Sequence, residues 1–179
     1  MNPQYLKLSV VPLLWLACQA AVALEGSATK SAPALPPRAE NFRLIDHEGY
    51  SHELFHLAEH KSVVLFGFCS SCPVALQTAE TLAAIRAEAD SEQVALWGLQ
   101  VDATDTRKAI GAALEAADID LPVLMDPTQR IAFSLGMRHA GEVLVLDPSA
   151  AWEIVYRGAV DDRFAGGDPA GEAADPYVQ

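Results

Sequence analysis

Two cysteines separated by two serines, Cys69-Ser70-Ser71-Cys72, are the residues of this chain best suited to chemistry. They follow the apolar run 62–68 and precede a segment with a helical pattern that opens with Pro73. The first turn of a helix offers unpaired N–H groups and a partial positive charge, which favour a thiolate over a thiol. The spacing therefore predicts thiol–disulfide exchange. We expect Cys69 at the helix N-cap with an exposed sulfur, and Cys72 one turn in and more covered.

The cysteine count favours a redox role over a structural one. The chain has three cysteines, and Cys18 lies in an N-terminal segment that we expect to be removed, which leaves Cys69 and Cys72 as a lone pair. In an oxidising compartment such a pair forms a disulfide or is kept reduced by a partner. A disulfide that closes so short a loop adds little stability, because the gain grows with loop length.

The N-terminal 23 residues have the pattern of a secretory signal peptide. Lys7 precedes the mostly apolar segment 8–17, and Ala21-Val22-Ala23 matches a cleavage site of small residues. The apolar segment is short for a membrane span, so we expect export to the periplasm with no stable membrane anchor after cleavage. A membrane anchor formed by an uncleaved signal is the alternative. Residues 24–38, rich in Ala, Ser and Pro, are interpreted as a flexible linker.

The length, composition and net charge of the chain limit the size of its fold and the kinds of partner that it can bind. A chain of 179 residues that is 51% hydrophobic is long enough for one domain with a sizeable core. Its net charge of -12 disfavours nucleic acid and anionic membrane surfaces as partners.

A second motif, His52-Glu53-Leu54-Phe55-His56, matches the His-Glu-x-x-His pattern of zinc proteases, and His60 continues the spacing. Such a site needs a long helix, whereas a buried strand follows almost at once. No second cysteine pair is present to complete a structural zinc site. We interpret the motif as the solvated face of a short surface helix, and we predict neither a metal nor another cofactor.

Strands and helices alternate along the chain and then give way to a closing hairpin, an order that predicts an α/β fold with a mixed sheet and helices on both faces. The cysteines would lie at the carboxyl end of a central strand, where open α/β sheets place their sites. The predicted strands are 42–46, 62–68, 94–101, 121–125, 142–147 and 152–157, and the predicted helices are 51–59, 73–89, 106–117 and 128–135.

Residues 39–164 resemble a thioredoxin-fold redoxin of the alkyl hydroperoxide reductase/thiol-specific antioxidant (AhpC/TSA) superfamily, of the exported Cys-x-x-Cys type. The resemblance is carried by Cys69–Pro73 and by the segments 122–127 and 143–148. It implies a thioredoxin-like fold, with a central mixed sheet flanked by helices, and an oxidoreductase in which Cys69 attacks and Cys72 resolves. The implied partners are protein thiols and disulfides, with a redox partner protein that reduces or oxidises the pair.

The chain departs from the thioredoxin pattern at three places. Residues 139–142 hold no proline where thioredoxins have a cis-proline, and Phe68 replaces the tryptophan that commonly precedes the first cysteine. The Gly-, Ala- and Asp-rich tail 165–179 predicts a flexible segment, so the C-terminal helix of thioredoxins is expected to be missing, or the chain is truncated. Residues 161–163, Asp-Asp-Arg, are interpreted as a solvated turn, with a position at the rim near the thiols as the alternative.

Two alternative functions remain open. Cys72-Pro73 matches the dipeptide of the peroxide-reactive cysteine in peroxiredoxins, which suggests a thiol peroxidase acting on peroxide through Cys72. Cys69 replaces the threonine of those enzymes, and this replacement favours dithiol exchange. In the other alternative, a copper or haem-maturation module, both thiolates would hold a soft metal such as Cu(I).

If residues 1–23 are a cleaved signal, the mature protein begins at or near Leu24 and is recovered outside the cytoplasm. Intact-mass analysis of the secreted fraction checks the new N-terminus. A soluble cytoplasmic protein that retains Met1 would contradict the prediction.

Overall fold

The computed structural model describes residues 35–88 and 93–161. The signal segment with Cys18, most of the linker, residues 162–164 and the tail lie outside this range. The elements in chain order are β1 (Arg43–Ile45), β2 (Ser51–Glu53), a 3₁₀ turn (Leu54–Leu57), β3 (Ser62–Phe68), α1 (Pro73–Glu88), β4 (Val94–Gln100), α2 (Arg107–Ala116), β5 (Val123–Leu124), α3 (Arg130–Leu135), β6 (Glu142–Asp147) and β7 (Glu153–Ala159). Within the described residues, no helix has the length and apolarity needed to cross a bilayer.

The main sheet has the strand order β5-β4-β3-β6-β7. β3 pairs in parallel with β4, and β4 pairs in parallel with β5. β6 and β7 complete the sheet as an antiparallel hairpin on the other side of β3. The predicted mixed sheet with a closing hairpin is confirmed. The edge strand predicted over 121–125 is shorter, because β5 spans only Val123–Leu124.

The core lies on both faces of this sheet, because successive side chains of a strand point to opposite sides. Val63 and Leu65 of β3 contribute to one buried cluster, and Phe66 and Phe68 to the other. The second cluster also contains the buried residues of α1 and α2, whereas the first contains those of α3. Helices therefore cover both faces, as the element order predicts. Trp97 and Trp152 are core residues of the first cluster.

The predicted helix over 51–59 is wrong. Residues Ser51–Glu53 form strand β2, which pairs antiparallel with β1, and only Leu54–Leu57 coil into a 3₁₀ turn. The N–H of Leu54 donates to the carbonyl of Phe42, so the backbone hydrogen bonds of this segment go to the neighbouring strand region. Leu54 itself is completely buried and belongs to the first core cluster.

A buried aspartate organises the turn between β1 and β2. Asp46 is 1% exposed. Its Oδ1 accepts hydrogen bonds of 2.8–2.9 Å from the N–H groups of Glu48, Gly49 and Tyr50. Its Oδ2 lies 2.7 Å from His52 Nε2. Burial raises the pKa of this carboxyl, but the hydrogen bonds from His52 and from the backbone of Tyr50 and Gly49 outweigh it, and the pKa is lowered.

Asp46→Ala is expected to destabilise the protein by about 3 kcal/mol at neutral pH, because it leaves three turn N–H groups without a charged acceptor. The folded pKa lies below the ordinary value of 3.8, so the stabilisation is present above that value and is lost as the pH falls through the folded pKa. Urea unfolding of parent and variant from pH 7 down to pH 3 should show the difference between them shrinking.

Asp147→Ala is the matched control. Asp147 accepts N–H groups of Ser149 and Ala150 in the same way, but it is only half-buried. Its loss should cost clearly less than the loss of Asp46, because solvent can replace the hydrogen bonds of an accessible carboxylate. Equal losses in the two variants would show that burial does not strengthen the Asp46 turn.

Candidate active site

The two cysteines lie where the central strand β3 meets helix α1. β3 ends at Phe68, Cys69 follows directly, and α1 begins at Pro73. A disulfide joins Cys69 to Cys72, with their Cα atoms 5.3 Å apart. The pair is therefore held at the carboxyl end of the sheet and at the N-terminus of a 16-residue helix.

Cys72, and not Cys69, is the residue at the helix N-cap. Its carbonyl accepts the first helical hydrogen bonds, from the N–H of Ala75 at 3.0 Å and of Leu76 at 3.4 Å. Pro73 explains the position, since proline is preset for the first helical residue and has no N–H to leave unpaired there. Our expectation that Cys69 would cap the helix is wrong.

The exposure of the two sulfur-bearing residues is also opposite to the expectation. Cys69 is only 2% exposed, whereas Cys72 is half-buried. Cys69 continues β3, of which every residue from Val63 to Phe68 is buried, and it remains under cover as the chain leaves the sheet. Its Sγ lies 3.5 Å from the hydroxyl of Ser71.

A carboxylate from the loop that follows the neighbouring strand holds the loop between the cysteines. Asp105, in the loop after β4, accepts the N–H of Ser70 at 2.8 Å through Oδ2 and the hydroxyl of Ser70 through Oδ1. The sequence interpretation did not single out this residue. The parallel pairing of β3 with β4 could have indicated it, because the residues that follow two such strands meet at one edge of the sheet.

The segment His139–Gly141, which replaces the cis-proline region of thioredoxins, lies directly against β3. The N–H of Gly141 donates to the carbonyl of Gly67 at 2.8 Å, and a Cβ on Gly67 would come 2.3 Å from the carbonyl oxygen of His139. No cis peptide bond occurs in the described ranges. Glycine at position 67 thus permits a close backbone contact two residues before Cys69.

A cavity of about 310 Å³ opens beside the first turns of α1. It is lined by Val74 and Thr78 of the helix, by residues 139–142, and by residues 158–161 at the end of β7. Asp161 is 2% exposed, so the interpretation of this residue as part of a solvated turn is wrong. Glu142, also in the lining, is paired with Arg157 at 3.1 Å.

The His-Glu-x-x-His motif does not form a zinc-protease site. His52 lies on β2 and His56 in the 3₁₀ turn, so the two imidazoles do not share a helix face. His52 is bound to Asp46 and packs edge-on against Trp97 with ring centroids 5.2 Å apart, so it is a structural residue and not part of a solvated face. In the described part of the chain, no three His, Cys, Asp or Glu side chains gather as metal ligands.

The family comparison agrees with this geometry, since the AhpC/TSA family model matches residues 37–160, more than two thirds of the chain. The chain belongs to the AhpC/TSA family. No curated protein sequence matches it.

Solved structures of similar fold place this AhpC/TSA protein among thioredoxin-like proteins. A hypothetical protein from Sinorhizobium meliloti is 23% identical, with 76% of each chain covered and a TM-score of 0.65. The thioredoxin domain of a thiol-disulfide oxidoreductase from Bacteroides vulgatus is 16% identical, with coverage of 70% of this chain and 89% of that one and a TM-score of 0.59. A peroxidoxin from Mycobacterium tuberculosis is 18% identical, with coverage of 68% and 82% and a TM-score of 0.57. These similarities confirm the thioredoxin-like fold.

Gly67→Ala should destabilise this protein by about 3 kcal/mol, because the new Cβ meets backbone and the segment 139–141 must move. Gly111→Ala is the matched control. In α2 the added methyl finds His47 at an ordinary 3.6 Å, and the change should stabilise the protein by about 0.8 kcal/mol. Urea unfolding measures both changes. A neutral Gly67→Ala variant would show that the contact with His139 is not required.

Proposed function

We propose that this AhpC/TSA protein is an exported thiol–disulfide oxidoreductase that cycles the Cys69–Cys72 disulfide. The observation that carries the proposal is the disulfide between β3 and the N-terminus of α1. The disulfide is a bond that thiols can exchange, and it lies at a helix end. The free N–H groups of that helix end stabilise a thiolate. The partners are protein thiols or disulfides, and a second redox protein restores the pair.

The exposure of the two cysteines supports a division of roles that is the reverse of the one implied by the family resemblance. A partner thiolate must reach the sulfur that it attacks, and Cys72 is half-buried whereas Cys69 is 2% exposed. Cys72 therefore forms the mixed disulfide with the partner, and Cys69 leaves as a thiol or thiolate. In the opposite direction Cys72 attacks the partner disulfide and Cys69 resolves the mixed disulfide, since both directions pass through the same intermediate.

The proposed location is the periplasm. Residues 1–23 support export through their charged start, apolar segment and cleavage site, and an oxidising compartment suits a pair that forms a disulfide. Under this proposal the mature protein consists of the linker 24–38, the redoxin domain 39–164 and the tail 165–179.

A thiol peroxidase is the second candidate function. It is favoured by the position of Cys72 at the N-cap of α1, directly before Pro73 and more exposed than Cys69. In that reaction the Cys72 thiolate attacks the peroxide O–O bond and becomes a sulfenic acid, and water or an alcohol leaves. Cys69 then displaces water from the sulfenic acid and forms the observed disulfide.

Cys69→Ser should trap mixed disulfides with partner proteins, because attack by Cys72 is kept and resolution is lost. Cys72→Ser, the matched variant, should trap none. Non-reducing gels and mass spectrometry of complexes isolated from the exported fraction measure both. Trapping by Cys72→Ser alone would assign the attack to Cys69, and trapping by neither variant would contradict exchange with protein partners.

Peroxide consumption separates the two candidate functions. Under the proposed function, reduced Cys69→Ser protein consumes peroxide slowly, near the rate of an ordinary thiolate, while the parent protein reduces protein disulfides. Stopped-flow mixing with hydrogen peroxide gives the rate. Rapid consumption that survives Cys69→Ser and is abolished by Cys72→Ser would establish the peroxidase instead.

A further inference from the structure

We propose that Asp105 is a positioning residue that holds the dithiol loop through Ser70 and whose negative charge biases the Cys69–Cys72 pair towards the disulfide. The inference rests on the proposed function, since it concerns the redox equilibrium of the same pair. It adds a residue outside the Cys-x-x-Cys motif that sets how readily the pair gives up electrons.

Both carboxylate oxygens of Asp105 are engaged by one residue of the loop. Oδ2 accepts the Ser70 N–H at 2.8 Å, and Oδ1 accepts the Ser70 hydroxyl. The Ser70 N–H is the first backbone donor after Cys69, in a loop whose free N–H groups would otherwise be available to a thiolate. In this protein the Asp105 carboxylate occupies that donor. The anion is therefore bound to the residue that directly follows Cys69.

The backbone of the loop that carries this carboxylate is held in place from the end of β4. Gln100 is completely buried, and its Nε2 donates to the carbonyl of Asp102 at 2.8 Å and to that of Asp105 at 3.0 Å. Its Oε1 accepts the N–H of Asp126 at 2.9 Å. A buried amide with its hydrogen bonds satisfied fixes the loop, so the charge cannot easily turn away from the cysteines when the disulfide opens.

The redox step adds charge at the ends of the loop that this carboxylate holds through Ser70. When two glutathione thiols reduce the disulfide, one glutathione disulfide forms, and the pair receives two electrons and two protons. A thiolate then forms when one proton leaves for the solvent. The negative charge of Asp105 disfavours that thiolate, because like charges repel. A less stable reduced form gives up its electrons more readily, so the pair has a lower reduction potential.

The other ionisable groups near the site lie in two places, along the cavity beside α1 and at the start of α2. His139, Glu142 and Asp161 line the cavity along α1, and Glu142 is paired with Arg157. At the start of α2, Arg107 donates to the carbonyl of His47. Among these groups, Asp105 is the one shown hydrogen-bonded to the loop between the cysteines.

Asp105→Asn tests the charge, because the amide keeps an acceptor for the Ser70 N–H and a donor for its hydroxyl. In the mature protein, at a pH where the thiolate is formed, the equilibrium constant with glutathione should shift about tenfold towards the dithiol. This shift corresponds to a reduction potential about 30 mV higher. The thiolate absorbance should titrate about one pH unit lower, and alkylation near neutral pH should be correspondingly faster. The urea midpoint should stay close to that of the parent protein.

Asp102→Asn is the matched control, since it removes the same charge from the same loop. Its carboxylate is engaged by Thr104, whose hydroxyl and N–H lower the pKa of Asp102 despite some burial. This variant should leave the equilibrium constant within about twofold of the parent value. If Asp105→Asn changes neither the potential nor the thiolate titration, or if Asp102→Asn changes them equally, the inference is overturned. A parent disulfide that does not equilibrate with glutathione at all would instead contradict the proposed function.

Discussion

The parallel pairing of β3 with β4 is the constraint on which the site depends. Their register sets Phe68 opposite Gln100, so the two strands end side by side and the chain leaves both at one edge of the sheet. Cys69 follows one strand, and the loop that carries Asp105 follows the other. Two segments more than 30 residues apart in sequence are thereby brought within hydrogen-bonding distance.

Burial of these two strands gives the site its rigidity. Nearly every residue of β3 and β4 is buried, and their side chains alternate between the two core clusters. Each fully buried aliphatic or aromatic side chain contributes about 1.5–3 kcal/mol relative to an exposed one, so β3 and β4 are anchored by burial on both faces of the sheet. The disulfide is not needed for this rigidity, because the loop that it closes is short. The stability of the fold therefore rests on the buried strands and not on the disulfide.

Much of the fold was predictable because its determinants are local. The apolar run of β3, the alternation of strands and helices, and the proline before the edge strand each act through nearby residues, and β3 and β6 have the predicted bounds. The segment after Ser51 was predicted wrongly because its hydrogen bonds go to a distant strand, which no helical pattern reveals. The same limit applies to the site. The spacing of the two cysteines identifies them from the sequence. Their relative exposure depends instead on how far the burial of β3 extends along the chain. Asp105 reaches the site through a tertiary contact, which no local pattern reveals.

Phe68 in place of a tryptophan has a spectroscopic consequence. The tryptophans of the described residues, Trp97 and Trp152, belong to the core cluster on one face of the sheet, whereas Cys72 packs against the cluster on the other face. The sheet separates both indoles from the half-buried sulfur. Fluorescence of these two tryptophans will follow unfolding of the first cluster and will be largely insensitive to opening of the disulfide, so stability and redox state can be recorded independently in one sample.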